Sequence, residues 1–180
     1  MGTAQKIIPH YIYEDYVHWE GNWELIEGFP IAMSPAPIPR HQLIGGALYA
    51  EFHFALKKCS HCRAYLPSDY KVKEDTILQP DIMVLCQTPK NKFIDFAPSL
   101  VAEILSPSTA LRDRNTKYEI YQQQGIKYYL IVDINTNSIE IYELKNGQYQ
   151  ITLANADGSF DFSFEEECRV NVPLNEVWKK

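Results

Sequence analysis

The chain has 180 residues, enough for one domain, taken as 1–180, with a sizeable core. Hydrophobic residues make up 46%, which excludes global disorder, and no run of ~18 apolar residues offers a membrane span. A net charge of -6 and a pI of about 5.4 argue against a generic nucleic-acid binder with a strongly basic face, although a local charge cluster can outweigh the total.

The start, MGTAQKIIPHYIYEDY, has no apolar signal core, and Lys6 stands where a myristoylation pattern wants Ser or Thr. The expected location is the cytoplasm. WELIEGFPIAM (23–33) reads as strand or turn-strand, and the Pro-rich SPAPIPR (34–40) is the strongest loop signal. HQLIGGALYAEFHFALKKC (41–59) reads as a helix. Its Leu43, Ala47, Leu48, Phe52, Ala55 and Leu56 recur at helical spacing, while Gly45 and Gly46 weaken its first turn. RAYLPSDYKV, QPDIMVLC and SLVAEIL are β-like runs. A helix is predicted over 113–124, ended by Gly125. KYYLIVD is a near-continuous apolar strand, SIEIYEL alternates cleanly, and KNG signals a hairpin into QYQITLA. FSFEEECRVNVPLNEVW adds an edge strand and a short helical turn. Near-continuous apolar strands need cover on both faces. The fold class is therefore α/β or α+β, a mixed central sheet flanked by helices.

The four cysteines are Cys59, Cys62, Cys86 and Cys168. Cys59 and Cys62 form a Cys-x-x-Cys pair around His61, but structural zinc wants a second pair at suitable spacing. Cys86 ends an apolar run and Cys168 lies far away. In the cytoplasm these residues read as plain reduced thiols.

Glu103 lies inside the apolar run of VAEILSPST (101–109). An ionised carboxylate out of water is costly unless something pairs with it. Asp81 follows Pro80 directly, and Glu103 comes 22 residues later. On neighbouring central strands both carboxylates can point to one spot. Converging carboxylates raise each other's pKa unless a cation sits between them. Mg²⁺, a hard ion that takes oxygen ligands, suits that place. Lys117 follows by 14 residues, and Arg114, Lys117, Tyr121 and Gln124 are spaced to share one helix face. A basic, hydrogen-bonding face beside two acids suits phosphate chemistry. The plainer readings are a buried ion pair for Glu103, a turn cap for Asp81 and a solvated helix charge for Lys117.

The order of a Pro-Asp step, then an acid within an apolar strand, resembles the PD-(D/E)xK restriction-endonuclease-like superfamily. More narrowly, the chain resembles the Uma family, grouped with restriction endonucleases and common in bacteria. The matching pieces are WELIEG, SPAP with RHQ, QPDIMVL, VAEILSPST and DRNTKYEIYQQQGIKYYLIVD, which span Trp23 to Asp133, 111 of 180 residues. The resemblance implies a restriction-endonuclease-like core and a Mg²⁺-dependent phosphodiesterase site, with Mn²⁺ as substitute. It assigns metal ligation to Asp81 and Glu103. One departure stands out: the lysine expected two residues after the second acid is Leu105, and Lys117 on the following helix is the substitute. Glu27 is the candidate early acid that completes the metal site; the alternative is a solvated charge beside Gly28. His41 is a general base or phosphate contact, or else a helix cap or packing residue. Asp133 reads as a turn former.

Two functions follow. The first is a Mg²⁺-dependent endonuclease acting on DNA. The second is a catalytically inactive nuclease-like module that binds nucleic acid or protein, which the acidic pI and Leu105 favour. A serine hydrolase through Ser106 or Ser108 lacks a G-x-S-x-G elbow, and Ser-Pro-Ser-Thr reads as turn and cap chemistry. Duplex cleavage needs two sites, so a homodimer is expected. The hairpin SIEIYEL–QYQITLA or the aromatic HYIYEDYVHW would supply its contact.

Overall fold

The computed structural model describes residues 8–33, 37–153, 158–165 and 168–179. Ser34–Ala36 of the Pro-rich loop and the first seven residues lie outside these. The chain begins with α1 (Tyr13–Tyr16), β1 (Trp23–Ile26) and β2 (Phe29–Ala32), then α2 (Pro39–Ala55) and a 3₁₀ turn (Leu56–Lys58). Next come β3 (Arg63–Tyr65), β4 (Tyr70–Lys73), β5 (Thr76–Leu78), β6 (Ile82–Leu85) and β7 (Leu100–Ile104). A helical segment follows: α3 (Ala110–Arg112), a π-helical turn (Asp113–Lys117) and α4 (Tyr118–Gln123). The chain then forms β8 (Tyr128–Asp133), β9 (Ser138–Lys145), β10 (Gln148–Leu153), β11 (Ser159–Glu165), β12 (Cys168–Pro173) and a 3₁₀ turn (Leu174–Trp178).

The central sheet has six strands in the order β10-β9-β8-β7-β6-β3. Only β7 and β8 run parallel, and the α3–α4 segment is their crossover. The other neighbours pair antiparallel. This is the mixed sheet expected. A second sheet, β2-β1-β5-β4, and the β11–β12 hairpin complete the fold. Neither α1 nor β5 was legible in the sequence, being four and three residues long.

Side-chain alternation sorts the two faces of the sheet. Ile82, Val84, Leu100, Ala102, Ile104, Leu130 and Val132 pack with α2 and the β11–β12 hairpin. Met83, Leu85, Val101, Leu105, Tyr129 and Ile131 pack with Tyr121 of α4 and with Tyr70 and Leu78 of the second sheet. By the same parity, Asp81 and Glu103 belong to the α4 face.

The buried stripe of α2 is Ile44, Leu48, Phe52 and, just beyond its end, Leu56, each four residues after the last. Leu43, assigned to the core from the sequence, is instead 65% exposed. Leu48, Phe52 and Leu56 of the expected stripe are buried, and its first position alone is displaced by one residue, from Leu43 to Ile44, because both are apolar. Gly45 lets this helix approach β7: a Cβ there would lie 2.9 Å from Ile104 Cδ1.

The cysteines are not free thiols. Cys59 pairs with Cys168 and Cys62 with Cys86. Their spacing hid this, because the fold brings the loop after α2, the end of β6 and the start of β12 to one place. Among the described residues, no helix is long and apolar enough to cross a membrane.

The displaced stripe is testable by urea denaturation. Phe52→Ala removes a fully buried ring and should cost about 3–5 kcal/mol of unfolding free energy. Leu43→Ala should stay within roughly 0.5 kcal/mol of the parent. Equal costs at both positions would contradict this helix orientation.

Candidate active site

Asp81, Glu103 and Lys117 line one cavity of about 510 Å³ between the two sheets and the α3–α4 segment. Glu24, His41, Arg112 and Asp113 line it too. Each polar group is fixed by the backbone of its own element. Ile82 of β6 pairs with Ala102 of β7, which sets Asp81 beside the end of β7. There Asp81 Oδ2 accepts a hydrogen bond from the Ile104 backbone N–H at 2.7 Å. The neighbouring Glu103 is 3% exposed. Its Oε1 accepts from Lys117 Nζ at 2.9 Å and from the Tyr121 hydroxyl at 2.6 Å.

Lys117 Nζ also lies 2.7 Å from Glu24 Oε1 and 3.6 Å from Asp113 Oδ1. Glu24 is fully buried on β1, and its Oε1 accepts from the Gln79 backbone N–H at 3.0 Å. Its other oxygen, Oε2, faces Arg112 Nε at 3.6 Å, and neither atom has a hydrogen-bond partner among the described residues. His41 Nε2 sits 3.1 Å from the Ile104 carbonyl oxygen and 3.5 Å from Asp81 Oδ2.

Burial drives the Glu103 carboxyl pKa well up; the Lys117 ammonium opposes this, and the charges of Asp113, Asp81 and Glu24 add to it. Burial alone would depress Lys117, but the charges of Glu103, Glu24 and Asp113 more than reverse it and hold the ammonium protonated. Burial also raises Asp113. The Asp81 carboxylate raises His41, against the opposing effect of burial.

The other sequence candidates are placed elsewhere. Glu27 is exposed in the β1–β2 turn with a positive φ of 50° and does not line the cavity. Glu24, three residues earlier, occupies the place proposed for it. The sequence did carry a signal: Glu24 stands between Trp23 and Leu25, an acid within an apolar strand, as Glu103 does. Arg114 points away and makes a bidentate ion pair with Glu140 on β9, at 2.8 and 2.7 Å. Gln124 is exposed beyond the end of α4. The helix face that meets the acids is Asp113, Lys117 and Tyr121, spaced by four, so Arg114 and Gln124 fall outside it. Asp133 accepts from the backbone N–H of Asn135 at 2.9 Å, as a turn former does.

A family model described as "Putative restriction endonuclease" matches residues 13–163. The chain belongs to this family, Uma2. Two uncharacterized proteins of Synechocystis sp. are similar to it. One is 32% identical over 101 residues, covering 51% of this chain and 56% of the relative. The other is 36% identical over 66 residues, covering 35% of each. The chain thus matches about half, or less, of the length of these relatives. A crystal structure from Anabaena variabilis, described as a putative nuclease belonging to DUF820, superposes with a TM-score of 0.71. It covers 92% of this chain and 96% of its own at 17% identity, which shows a shared fold. The expected family and fold class are borne out.

Two substitutions test this Uma2 site as built. Arg114→Gln should cost only about 0.5–1 kcal/mol, since the pair is partly screened by solvent. Hydrogen bonds from Arg114 hold the Glu140 carboxyl below its usual range. The pair's contribution is therefore present above the unfolded value and lost as pH falls through the lower folded value. The gap between Arg114→Gln and parent melting temperatures should close on acidification.

Lys117→Met should cost about 3–5 kcal/mol at neutral pH, because it strands buried carboxylates. Burial raises the folded pKa of Glu103 and Asp113, so the folded state takes up protons and this deficit should shrink as pH falls. A deficit independent of pH would mean that Lys117 acts through packing alone.

Proposed function

We propose that the cavity is the catalytic centre of a Mg²⁺-dependent endonuclease that hydrolyses DNA phosphodiester bonds, with Mn²⁺ able to substitute. The observation that carries the reading is a charge imbalance. Four carboxylates, Glu24, Asp81, Glu103 and Asp113, face two permanent cations, Lys117 and Arg112, around one cavity. With all four ionised and His41 neutral, as a bound cation would favour, two negative charges remain, which matches a divalent cation. The donor set is all oxygen, as a hard ion prefers. Glu24 Oε2 is buried with no donor of its own among the described residues. Asp81, Glu103 and Glu24 would hold the ion, with Glu24 in the role first given to Glu27.

When bound, Mg²⁺ supplies Lewis-acid polarisation of a phosphodiester and makes water easier to deprotonate. The chain's own groups do the rest. Ile104 N–H orients Asp81, and the Tyr121 hydroxyl orients Glu103. Lys117 brings a fixed positive charge to where charge develops on the phosphate oxygens. Arg112, partly exposed on the cavity wall, is a second handle for an anion. His41, beside Asp81, is positioned to take or give a proton at the leaving or attacking oxygen. Cutting both strands requires two such sites, so the working form is proposed to be a homodimer.

The second reading, an inactive nuclease-like module, is favoured by one observation: Lys117 already pairs with two of the acids. Calorimetric titration with Mg²⁺ and Mn²⁺, paired with plasmid nicking, separates the two. In an endonuclease, the parent binds and nicks, while Glu24→Gln and Glu103→Gln lose both. Binding without nicking selects the inactive module. No binding by the parent returns the acids to a purely structural role.

A further inference from the structure

A second cluster lies on the other face of the sheet. His61, Cys62 and Glu165 present ligand atoms within 4.8 Å of one another. Cys86 adds a further sulfur, since it is bonded to Cys62. Together they make two sulfurs, one imidazole and one carboxylate, a set that suits four-coordinate zinc.

The surroundings form a built knuckle. Arg63 donates from Nη1 to the carbonyls of Cys59 and Cys62 at 2.9 and 2.7 Å, and from Nη2 to Ser60 at 3.1 Å. One guanidinium thus wraps the Cys-x-x-Cys loop. Cys168 is the cross-strand partner of Glu165, and its bond to Cys59 holds the β11–β12 hairpin against this loop. Phe162, Phe164, Val170 and Val172 of the hairpin also pack in the same core as Cys62, so Glu165 stays within reach of His61 when that bond is reduced.

The histidine ring has a partner at each nitrogen. Ser60 Oγ lies 2.7 Å from His61 Nδ1, while Nε2 meets Glu165 Oε2. With Nδ1–H donating to Ser60, Nε2 keeps a lone pair for a metal ion, and Glu165 can ligate beside it once their mutual hydrogen bond opens. The His61 and Glu165 side chains are each 44% exposed, so an ion can enter from solvent. Cys62 is fully buried behind them.

We propose that this cluster is a redox-gated zinc site, closed while the Cys62–Cys86 disulfide stands and opened by its reduction. One dithiol reductant gives two electrons and two protons to the disulfide, yielding two protein thiols and an oxidised dithiol. On metal binding the thiols of Cys62 and Cys86 lose two protons, and the thiolates, His61 and Glu165 close around the ion. The site is independent of the carboxylate cavity and of its proposed activity.

The test is Co²⁺ and Zn²⁺ titration of the full chain in excess Mg²⁺, which an all-oxygen site takes and a thiolate site ignores. Co²⁺ bound to thiolate shows an ultraviolet charge-transfer band that carboxylate-bound Co²⁺ lacks. Expected is one equivalent with that band in phosphine-reduced protein and none in oxidised protein. His61→Ala and Glu165→Gln change exposed side chains, leave the core intact, and should each weaken zinc at least tenfold. Reduced parent without the band overturns the proposal. So does a band of unchanged affinity in His61→Ala and Glu165→Gln, which would put the ligands elsewhere.

Discussion

The buried ammonium of Lys117 is the point on which the carboxylate-lined cavity depends. It takes Glu24 from one sheet, Glu103 from the other, and Asp113 from its own helical segment. The Glu103 contact, at 2.9 Å, is a charge-assisted hydrogen bond, and the Glu24 contact, at 2.7 Å, is a close ion pair. They offset the desolvation of an ammonium only 2% exposed. Without that charge the elements would bring three acids together with no reason to stay.

The chain reaches this arrangement by an indirect route, visible at position 105. Side chains alternate along β7, so residues 103 and 105 share a face. A lysine at 105 would point toward the acids from the strand itself. Leu105 instead joins the apolar cluster that contains Tyr121 and Ile131. The ammonium arrives from the layer above, through the π-helical turn that spans Asp113 to Lys117. Such turns are rare and concentrate at functional sites. Here the turn carries Asp113 and Lys117 at its two ends, and Tyr121 follows one further turn along.

Much of this was legible in the sequence, and the failures have physical causes. The strands of the central sheet announced themselves through near-continuous apolar runs, and Asp81 and Glu103 through acids where apolar residues belonged. The same rule applied to Trp23-Glu24-Leu25 would have found Glu24. Glu27 was chosen instead as the early acid of the family-like WELIEG piece, and the plainer reading of a solvated charge beside Gly28 is the one its exposed, positive-φ position supports. Arg114 and Gln124 were misplaced because a three-four-three spacing was read as one face, whereas the contact face repeats by four from Asp113. The disulfides were illegible for another reason. Their partners lie 109 and 24 residues apart, and only the tertiary fold brings them together.

Strand β6 shows how one short element keeps two chemistries apart. Asp81 immediately precedes it and Cys86 immediately follows. Five residue steps of extended chain separate their backbones by roughly 16 Å. Alternation also sends them to opposite faces, Asp81 toward α4 and Cys86 toward α2. Oxygen ligands select hard ions and thiolates select soft or borderline ones. A chain that placed both sets on one face would let zinc compete for the carboxylates. Splitting them across a four-residue strand would leave the acidic cavity to the proposed hard dication and the sulfurs to the proposed zinc, with the packed sheet as the barrier between them.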